Sequence, residues 1–264
     1  MSGWRAALLV PVAFTAAVAC GTGGSINGTA PPTPAPTTPG ATLSPAPTTS
    51  PTSPPPTTKP PVRPPVSETL RIGDHGARVL QLQQGLVRLG YWLGTPDGTF
   101  GEDTEQAVYA LQHVAGLQAD GVAGRQTLSA LARGARPVPR TASGDALEVD
   151  IEQQVLLVVI DGRLDAILHV SSGGDYLYVD SGVTSRASTP RGRYRVERRV
   201  DGWDHSTLGW LWRPAYFVGG YALHGYAEVP PYPASHGCVR VSMAGMNWLW
   251  ATGAVRVGQP MWVY

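Results

Sequence analysis

Apolar residues recur at helical intervals between residues 68 and 133. Val79, Leu82 and Leu86 are three and four positions apart, the interval that places side chains on one face of a helix. The same stretch holds an internal repeat, because DGTFGEDT, which begins at Asp97, returns later as DGVAGRQT. In each copy Asp-Gly favours a turn, and a helix can begin near the second glycine. The pattern predicts a small helical unit.

Beyond residue 145 the pattern changes to that of strands. DALEVDIEQQVLLVVIDGRLDAILHV gives three β-rich runs, with turns at Gln153-Gln154 and at Asp161-Gly162, the second a strong hairpin signal. Further strands are predicted in GRYRVERRV, AYFVGGYALHG and AVRVGQPMWVY, and only SMAGMNWLWAT has a helical pattern. Residues 146–264 are therefore predicted to form a mostly β sandwich or barrel with one helix, and residues 134–145 a short linker.

The first twenty residues have the layout of an export signal. One arginine precedes about a dozen apolar residues, a run too short to span a bilayer comfortably. The end of this segment, Ala17 to Cys20, resembles a bacterial lipobox, which implies an acyl group on Cys20. The alternative is plain secretion after cleavage near Ala19. The prediction is an exported protein of the cell envelope, anchored by lipid to the outer face of the plasma membrane.

Residues 21–67 are rich in proline, threonine, serine and alanine, as in PTSPPPTTKPPVRPP. Almost no large apolar residue occurs here, so the segment cannot bury a core and is predicted to be a disordered linker. In the extended polyproline II conformation it would reach on the order of 100 Å or more. Residues 21–67 are therefore predicted to act as a tether.

Charge and cysteine content narrow the function classes. The formal net charge is +1 with 15% charged residues and no dense basic cluster, so no nucleic-acid partner is expected. The chain has two cysteines. If Cys20 carries lipid, Cys238 has no partner within the chain for a disulfide. An intermolecular disulfide and an inert buried thiol are the plain alternatives to a reactive one.

The residues around Cys238 favour a reactive thiol. Cys238 stands in PASHGCVRVS, and His224 stands at the end of a predicted strand, YALHGY, before a proline-rich loop. The two side chains can thus face each other across that loop. An imidazole can take the proton of a thiol, and the thiolate is a strong nucleophile. Gly237 permits a tight bend whose backbone amides can hold an oxyanion.

Other chemistries have weaker support in the sequence. A metal site would have to use His205, His224, His236 and Cys238, but no H-E-x-x-H or C-x-x-C pattern occurs, and no metal or other cofactor is predicted. A serine hydrolase lacks a G-x-S-x-G motif. His75 and His113 have no companions at metal-ligand spacing and are predicted to be surface or capping residues. A catalytically silent wall-binding lipoprotein remains as an alternative of a different class.

Two known families resemble parts of this chain. The repeat segment, from LRIGDHGARVLQLQQGLVRLGYW through DGVAGRQTLSAL, is similar to the peptidoglycan-binding type 1 family, a three-helix module. His224-Gly225 followed by SHGCVR resembles the signature of the L,D-transpeptidase (YkuD) catalytic domain. STPRGRYRV matches a further segment of that family, in which Thr189, Pro190 and Gly192 are interpreted as a structural turn. Gly253 to Val257 resembles the family's final strand.

The second resemblance implies roles for individual residues. Cys238 would be the nucleophile and His224 its general base, with the amides of Gly237 and Cys238 in the oxyanion hole. The remaining predicted site residues either shape the site or contact substrate; they are Ser235, His236, Arg240, Trp212 and Tyr216.

The reaction follows from the same resemblance. The thiolate would attack a tetrapeptide stem of peptidoglycan, release D-alanine, and pass the acyl group from a thioester to an amine of another stem, giving a 3→3 cross-link. Hydrolysis of the thioester would instead make the protein an L,D-carboxypeptidase. The implied partners are peptidoglycan and carbapenem-type β-lactams, and the implied role is in cell-wall organisation and cell shape.

Overall fold

A computed structural model describes residues 69–264. The predicted signal peptide, the lipid site at Cys20 and the linker of residues 21–67 lie outside the described residues. Within residues 69–264, no helix combines the length and the apolar character needed to cross a membrane.

The first part of the described chain is a three-helix module, as predicted. Helix α1 spans Ala77–Arg88, α2 spans Glu102–Val114 and α3 spans Arg125–Ala132. Helices α2 and α3 each begin directly after the second glycine of one copy of the repeat, where the glycine backbone is still extended.

A buried glutamine explains the repeat. Gln83 of α1 donates from Nε2 to Asp97 Oδ1, to the Thr99 carbonyl and to Thr104 Oγ1, each at 3.0 Å, and its Oε1 accepts from backbone amides of the Asp-Gly turn. The second copy of the repeat surrounds Gln112 of α2 in the same way. The residues that the two copies of the repeat share therefore fix a turn and the start of a helix around the side-chain amide of one glutamine.

Loss of one of these glutamines is expected to destabilise the module. Gln112→Leu removes hydrogen bonds to Asp120 and Thr127 and leaves the buried Gly121 amide without its acceptor. A buried unsatisfied polar group costs about 1–3 kcal/mol, so the free energy of unfolding should fall by about 2–4 kcal/mol. Urea unfolding measures this, with Gln84→Leu on an exposed position of α1 as the matched control. Equal stability of the two variants would contradict the interpretation.

Residues 134–145 contain no helix or strand, and they are fastened to the next strand. The backbone amides of Arg140 and Thr141 donate to the carboxylate of Glu148 at 2.9 and 2.6 Å. Glu148 is fully buried. The segment predicted as a linker is thus held against the β domain.

The second part of the described chain has twelve strands and one helix. In chain order the strands are β1 Ala146–Asp150, β2 Val155–Ile160, β3 Arg163–His169, β4 Leu177–Asp180, β5 Val183–Arg186, β6 Gly192–Arg195, β7 Arg198–Arg199, β8 Trp203–Ser206, β9 Gly209–Val218, β10 Tyr221–Tyr226, β11 Val239–Ser242 and β12 Pro260–Val263. Helix α4, Met243–Ala251, follows β11 directly. The predicted single helix of this part is confirmed.

The strands form two main sheets and a hairpin. One sheet has the order β3-β2-β1-β12-β6, and the other has the order β11-β10-β9-β7 with β8 also paired to β9. Strands β4 and β5 form a separate two-stranded hairpin. Side chains from both main sheets and from α4 share one core, which includes Leu147, Phe217, Leu223, Val241 and Met246. The predicted mostly β domain is confirmed, and of the two predicted architectures, sandwich and barrel, these two packed sheets form the sandwich.

Two predictions at turns had different outcomes. Asp161 and Gly162 both have positive φ angles, 49° and 72°, and join β2 to β3 as the predicted hairpin. The prediction that Gly253 to Val257 is the final strand was wrong. Gly253 takes a left-handed conformation (φ 74°) just after α4, turns follow, and the strand begins only at Pro260.

The helical module and the β domain share a second hydrophobic core. Alternate residues of β2 face opposite sides of its sheet, so Leu156 faces the sandwich, whereas Val155 and Leu157 pack with the module and with Ile167 of β3. The backbone joins them too, because Ile167 donates to the Gly90 carbonyl and accepts from the Trp92 amide. This explains why β2 is apolar without alternation.

One histidine prediction is corrected by this interface. His75 is exposed, as predicted. His113 is neither a surface nor a capping residue, because it lies at the end of α2 that meets the β domain. Its ring stacks on that of His169 with centroids 5.4 Å apart and planes at 8°. Burial lowers the pKa of His113.

Candidate active site

Cys238 stands directly before β11, beside the strand that carries His224. Strands β10 and β11 are parallel neighbours, with Leu223 opposite Val239 and His224 opposite Arg240. Leu223 and Val239 point into the sandwich core. Because side chains alternate along a strand, His224, Cys238 and Arg240 share the opposite face of the sheet.

That face opens into a cavity of about 260 Å³. Five of the predicted site residues line it: Cys238, His224, Ser235, His236 and Arg240. Its walls also include the aromatic side chains of Tyr178, Trp210 and Tyr221. Residues far apart in sequence therefore meet around the thiol.

The turn that carries the thiol is fixed by hydrogen bonds of Ser235. Ser235 Oγ accepts from the Gly237 amide at 2.9 Å and donates to the Cys238 carbonyl. Ser235 thus acts on the shape of the turn from a buried position. In this conformation the Gly237 amide already has a partner in Ser235. The place of the Gly237 and Cys238 amides in the oxyanion hole stays a prediction.

Gly237 is required at its position for two reasons. Its φ of 136° is disfavoured for residues with a side chain, and a Cβ atom here would lie 2.5 Å from the Tyr221 ring and 2.8 Å from the Ser188 carbonyl oxygen. The Tyr221 ring in turn lines the cavity. The glycine therefore lets the turn close against the walls of the site.

Thr189 supports this turn from the other side. Its Oγ1 donates to the Gly237 carbonyl at 2.8 Å and accepts from the Gly173 amide at 2.9 Å. The structural interpretation of Thr189 fits these contacts, but the sequence did not connect it to the turn beside Cys238. The two segments are far apart in the chain, and no local pattern joins them.

His224 is buried and holds a defined tautomer. Its Nδ1 lies 2.9 Å from the Gly225 carbonyl oxygen, and because a carbonyl only accepts, Nδ1 carries the proton. Nε2 of the neutral ring then keeps its lone pair. Burial, opposed by that hydrogen bond and assisted by the charge of Arg240, lowers the pKa of His224 to about 4. The imidazole is neutral at pH 7.

Cys238 is half-buried, and within residues 69–264 it is the one free cysteine. Burial raises the pKa of its thiol, while the Ala222 backbone and the charge of Arg240 act in the opposite direction. At neutral pH the resting pair is thus a thiol and a neutral imidazole. This arrangement suits transfer of the proton during attack, without a preformed ion pair.

Arg240 brings positive charge to the cavity. Its guanidinium lies 4.2 Å from the centre of the Tyr226 ring, and Nη1 is 3.4 Å from the Ala234 carbonyl oxygen. Its buried Nε has no hydrogen-bond partner among residues 69–264. The group therefore retains capacity to bind an anion.

His236 contacts the β4–β5 hairpin at the edge of the cavity. The rings of Tyr178 and Tyr176 meet it edge-on, with centroids 4.6 and 5.6 Å away. The same hairpin reaches the β8–β9 turn, where Thr207 Oγ1 donates to Asp180 Oδ2 at 2.8 Å. His236 thus forms part of the wall that these two hairpins build.

The two aromatic residues predicted to contact substrate do not line the cavity. Tyr216 is buried beneath Cys238, and its hydroxyl donates to Asp204 at 2.7 Å. Trp212 belongs to the core side of β9, and its Nε1 donates to Asn247 at 2.8 Å. Trp210, two positions earlier, is the tryptophan at the cavity. The sequence showed a tryptophan-rich segment but did not distinguish its members.

The histidines do not gather into a metal site. Among the described residues, no three or more histidine, cysteine, aspartate or glutamate side chains form a group suited to a metal ion. The ring of His205 packs against Trp210 at 4.7 Å.

Family models match both parts of the chain. Residues 75–131 match the model described as a putative peptidoglycan binding domain, and residues 144–263 match that of the L,D-transpeptidase catalytic domain. The first description names peptidoglycan, and a domain of this kind implies that the protein is exported or works in the cell envelope.

This chain is also similar to individual proteins of known structure and to a curated protein. A crystal structure of the L,D-transpeptidase from Xylanimonas cellulosilytica is 49% identical, covers 76% of this chain and all of its own, and gives a TM-score of 0.74. That from Stackebrandtia nassauensis is 25% identical over 74% of this chain and 94% of its own, with a TM-score of 0.44. A probable N-acetylmuramoyl-L-alanine amidase of Bacillus licheniformis is 42% identical over 64 residues, and this chain spans only 18% of its length. The chain belongs to the L,D-transpeptidase family, with a peptidoglycan-binding domain preceding the catalytic domain.

Proposed function

We propose that the protein cross-links peptidoglycan, with Cys238 as nucleophile and His224 as general base. The observation that supports this is their common placement: adjacent parallel strands present both side chains to one cavity. The Nδ1 contact of His224 leaves Nε2 able to accept a proton. A histidine and a cysteine in this relation are what a thiol acyl transferase requires.

Acylation begins when Sγ of Cys238 attacks the carbonyl carbon that precedes the terminal D-alanine of a tetrapeptide stem. The thiol proton moves to Nε2 of His224 as the carbon–sulfur bond forms. The carbon–nitrogen bond then breaks, and the leaving amine of D-alanine takes the proton from the imidazolium. A thioester remains on Cys238, and His224 is neutral again.

Transfer reverses this sequence with a different amine. The side-chain amine of a second stem attacks the thioester, gives a proton to His224, and displaces the sulfur, which is reprotonated. One amide replaces another, so no external energy source is needed. The product is a 3→3 cross-link. Water in place of the amine would release a tripeptide, which is the L,D-carboxypeptidase alternative.

The polar groups of the cavity fit the charges that develop. The Cys238 amide is the proposed donor to the oxyanion. Arg240, which lines the cavity and whose Nε has no hydrogen-bond partner among residues 69–264, is proposed to bind a carboxylate of the stem. Trp210 takes the place of Trp212 and Tyr216 as the proposed aromatic contact.

The surrounding parts of the chain fit a role at the cell wall. The helical module is proposed to bind peptidoglycan, residues 21–67 to span the distance to it, and acylated Cys20 to hold the protein at the outer face of the membrane. Carbapenem-type β-lactams are proposed to acylate Cys238, since their strained carbonyl presents the same target as the stem amide.

Turnover of a defined stem tests the proposal. Residues 21–264 are incubated with a purified disaccharide-tetrapeptide, with Cys238→Ala in parallel, and the products are read by mass spectrometry. Dimers that have lost one D-alanine are expected with the unaltered chain and not with the variant. Tripeptide alone would favour the carboxypeptidase. No turnover by either protein would favour a wall-binding role without catalysis.

A further inference from the structure

The loop between the base and the nucleophile, residues 227–234, is held by the helical module. Gln106 of α2 donates from Nε2 to the Val229 carbonyl at 3.1 Å, across 123 positions of sequence. Val229 is 6% exposed, so this carbonyl lies where water is scarce. A residue of the wall-binding domain therefore fixes the segment that leads to Cys238.

A second contact to the loop also depends on α2. His169, the last residue of β3, donates from Nε2 to the Pro230 carbonyl at 3.0 Å. Its ring lies against Tyr109 and His113 of α2, each with a centroid separation of 5.4 Å. The helix thus sets the position of the imidazole that binds the loop.

These contacts belong to one stripe of α2. Asp103, Gln106, Tyr109 and His113 recur at intervals of three and four residues, which places them on one face of the helix. Asp103 extends the stripe, since it accepts at 3.3 Å from Oγ of Ser242, the last residue of β11. Helix α2 therefore meets the catalytic domain with polar residues as well as with the apolar residues that it contributes to the shared core.

The far end of the loop connects to the nucleophile turn. Ser171 Oγ donates to the Tyr232 carbonyl at 2.8 Å and accepts from the Ala234 amide at 3.1 Å. The next residue, Ser235, holds the Gly237 amide beside Cys238. A continuous set of contacts thus runs from α2 through the loop to the turn of the thiol.

We propose that the helical module is a positioning element of the active site, and that Gln106 is its principal positioning residue. The inference rests on the proposed function, since it concerns the placement of Cys238 relative to His224. It gives the module a role separate from binding the wall. Displacement of a reacting group by about 1 Å can cost up to a hundredfold in rate, so a single contact to this loop can affect turnover.

Gln106→Met tests the inference, because methionine keeps the length of the side chain and removes the donor to Val229. Gln84→Met, at an exposed position of α1, is the matched control. In residues 21–264 acting on the disaccharide-tetrapeptide, kcat of Gln106→Met is expected to fall about tenfold, with KM changed by less than about twofold. The thermal unfolding midpoint should stay within a few degrees of that of the control.

Amide hydrogen exchange gives a readout that does not require turnover. The amides of Ala234, Ser235 and Gly237, all hydrogen-bonded in the structure, are expected to exchange faster in Gln106→Met than in Gln84→Met. Unchanged kcat together with unchanged exchange would overturn the inference. If the unaltered chain does not turn over the stem, the proposed function fails, and the exchange rates alone decide whether α2 positions the loop.

Discussion

A fragment that begins at residue 134 is expected to lose the folded state of the catalytic domain, although it contains every predicted catalytic residue. Removal of the module exposes Val155, Leu157, Val159 and Ile167, which are now fully buried. At about 1.5–3 kcal/mol for each side chain, the loss is about 6–12 kcal/mol. That is comparable with the whole stability of an ordinary domain, about 5–15 kcal/mol.

Circular dichroism and thermal unfolding of residues 134–264 measure this, with residues 69–264 as the matched control. The longer fragment should unfold cooperatively, and the shorter one should show no cooperative transition or should aggregate through the uncovered face of β2 and β3. A soluble shorter fragment with the same unfolding midpoint as the control would show that the shared core contributes little.

His224→Ala is expected to slow acylation of Cys238 by about 10²–10⁴-fold at pH 6, the range for loss of a general base. In the unaltered protein, acylation by a carbapenem should vary little between pH 5 and 7, because His224 has a pKa of about 4 and is already neutral there. The rate should fall as the pH drops through about 4, where the ring gains a proton and can no longer accept one. In the variant only thiolate reacts, so the rate should rise about tenfold per pH unit.

Intact-mass kinetics of the covalent adduct measure these rates. His75→Ala, at an exposed position of the module, is the control, and His224→Gln preserves volume in case the alanine variant is poorly folded. An acid limb near pH 6.5 in the unaltered protein would contradict the lowered pKa. Equal rates in His224→Gln and in the control would remove His224 from the role of base.

The elements of the fold could be predicted from the sequence because their signals are local. Val79, Leu82 and Leu86 lie on one helix face whatever surrounds them, and Asp161-Gly162 permits a tight turn by its own backbone preferences. The prediction of the last strand failed for a related reason. Val255 and Val257 have strand propensity, but Gly253 redirects the chain there and tertiary packing buries Val255 in the core.

The candidate site could be predicted in part for the same reason. Cys238, Gly237 and Ser235 are neighbours in one short segment, so their grouping could be predicted from the sequence. The distinction between Trp210, Trp212 and Tyr216 could not be predicted, since it depends on which of the three packs at the cavity and which bonds to Asn247 or Asp204 elsewhere in the fold.

The sequence by itself determined the helices, many of the strands and the glycine of the turn, because each depends on backbone preference. From residue type it also predicted the pairing of a cysteine with a histidine. Only the tertiary structure decided which face of β2 packs on the module, why His113 is partly buried against His169, and that Gln106 reaches Val229. These contacts join residues more than forty positions apart. Their partners are selected by the packing of whole elements, and no local pattern of residues encodes them.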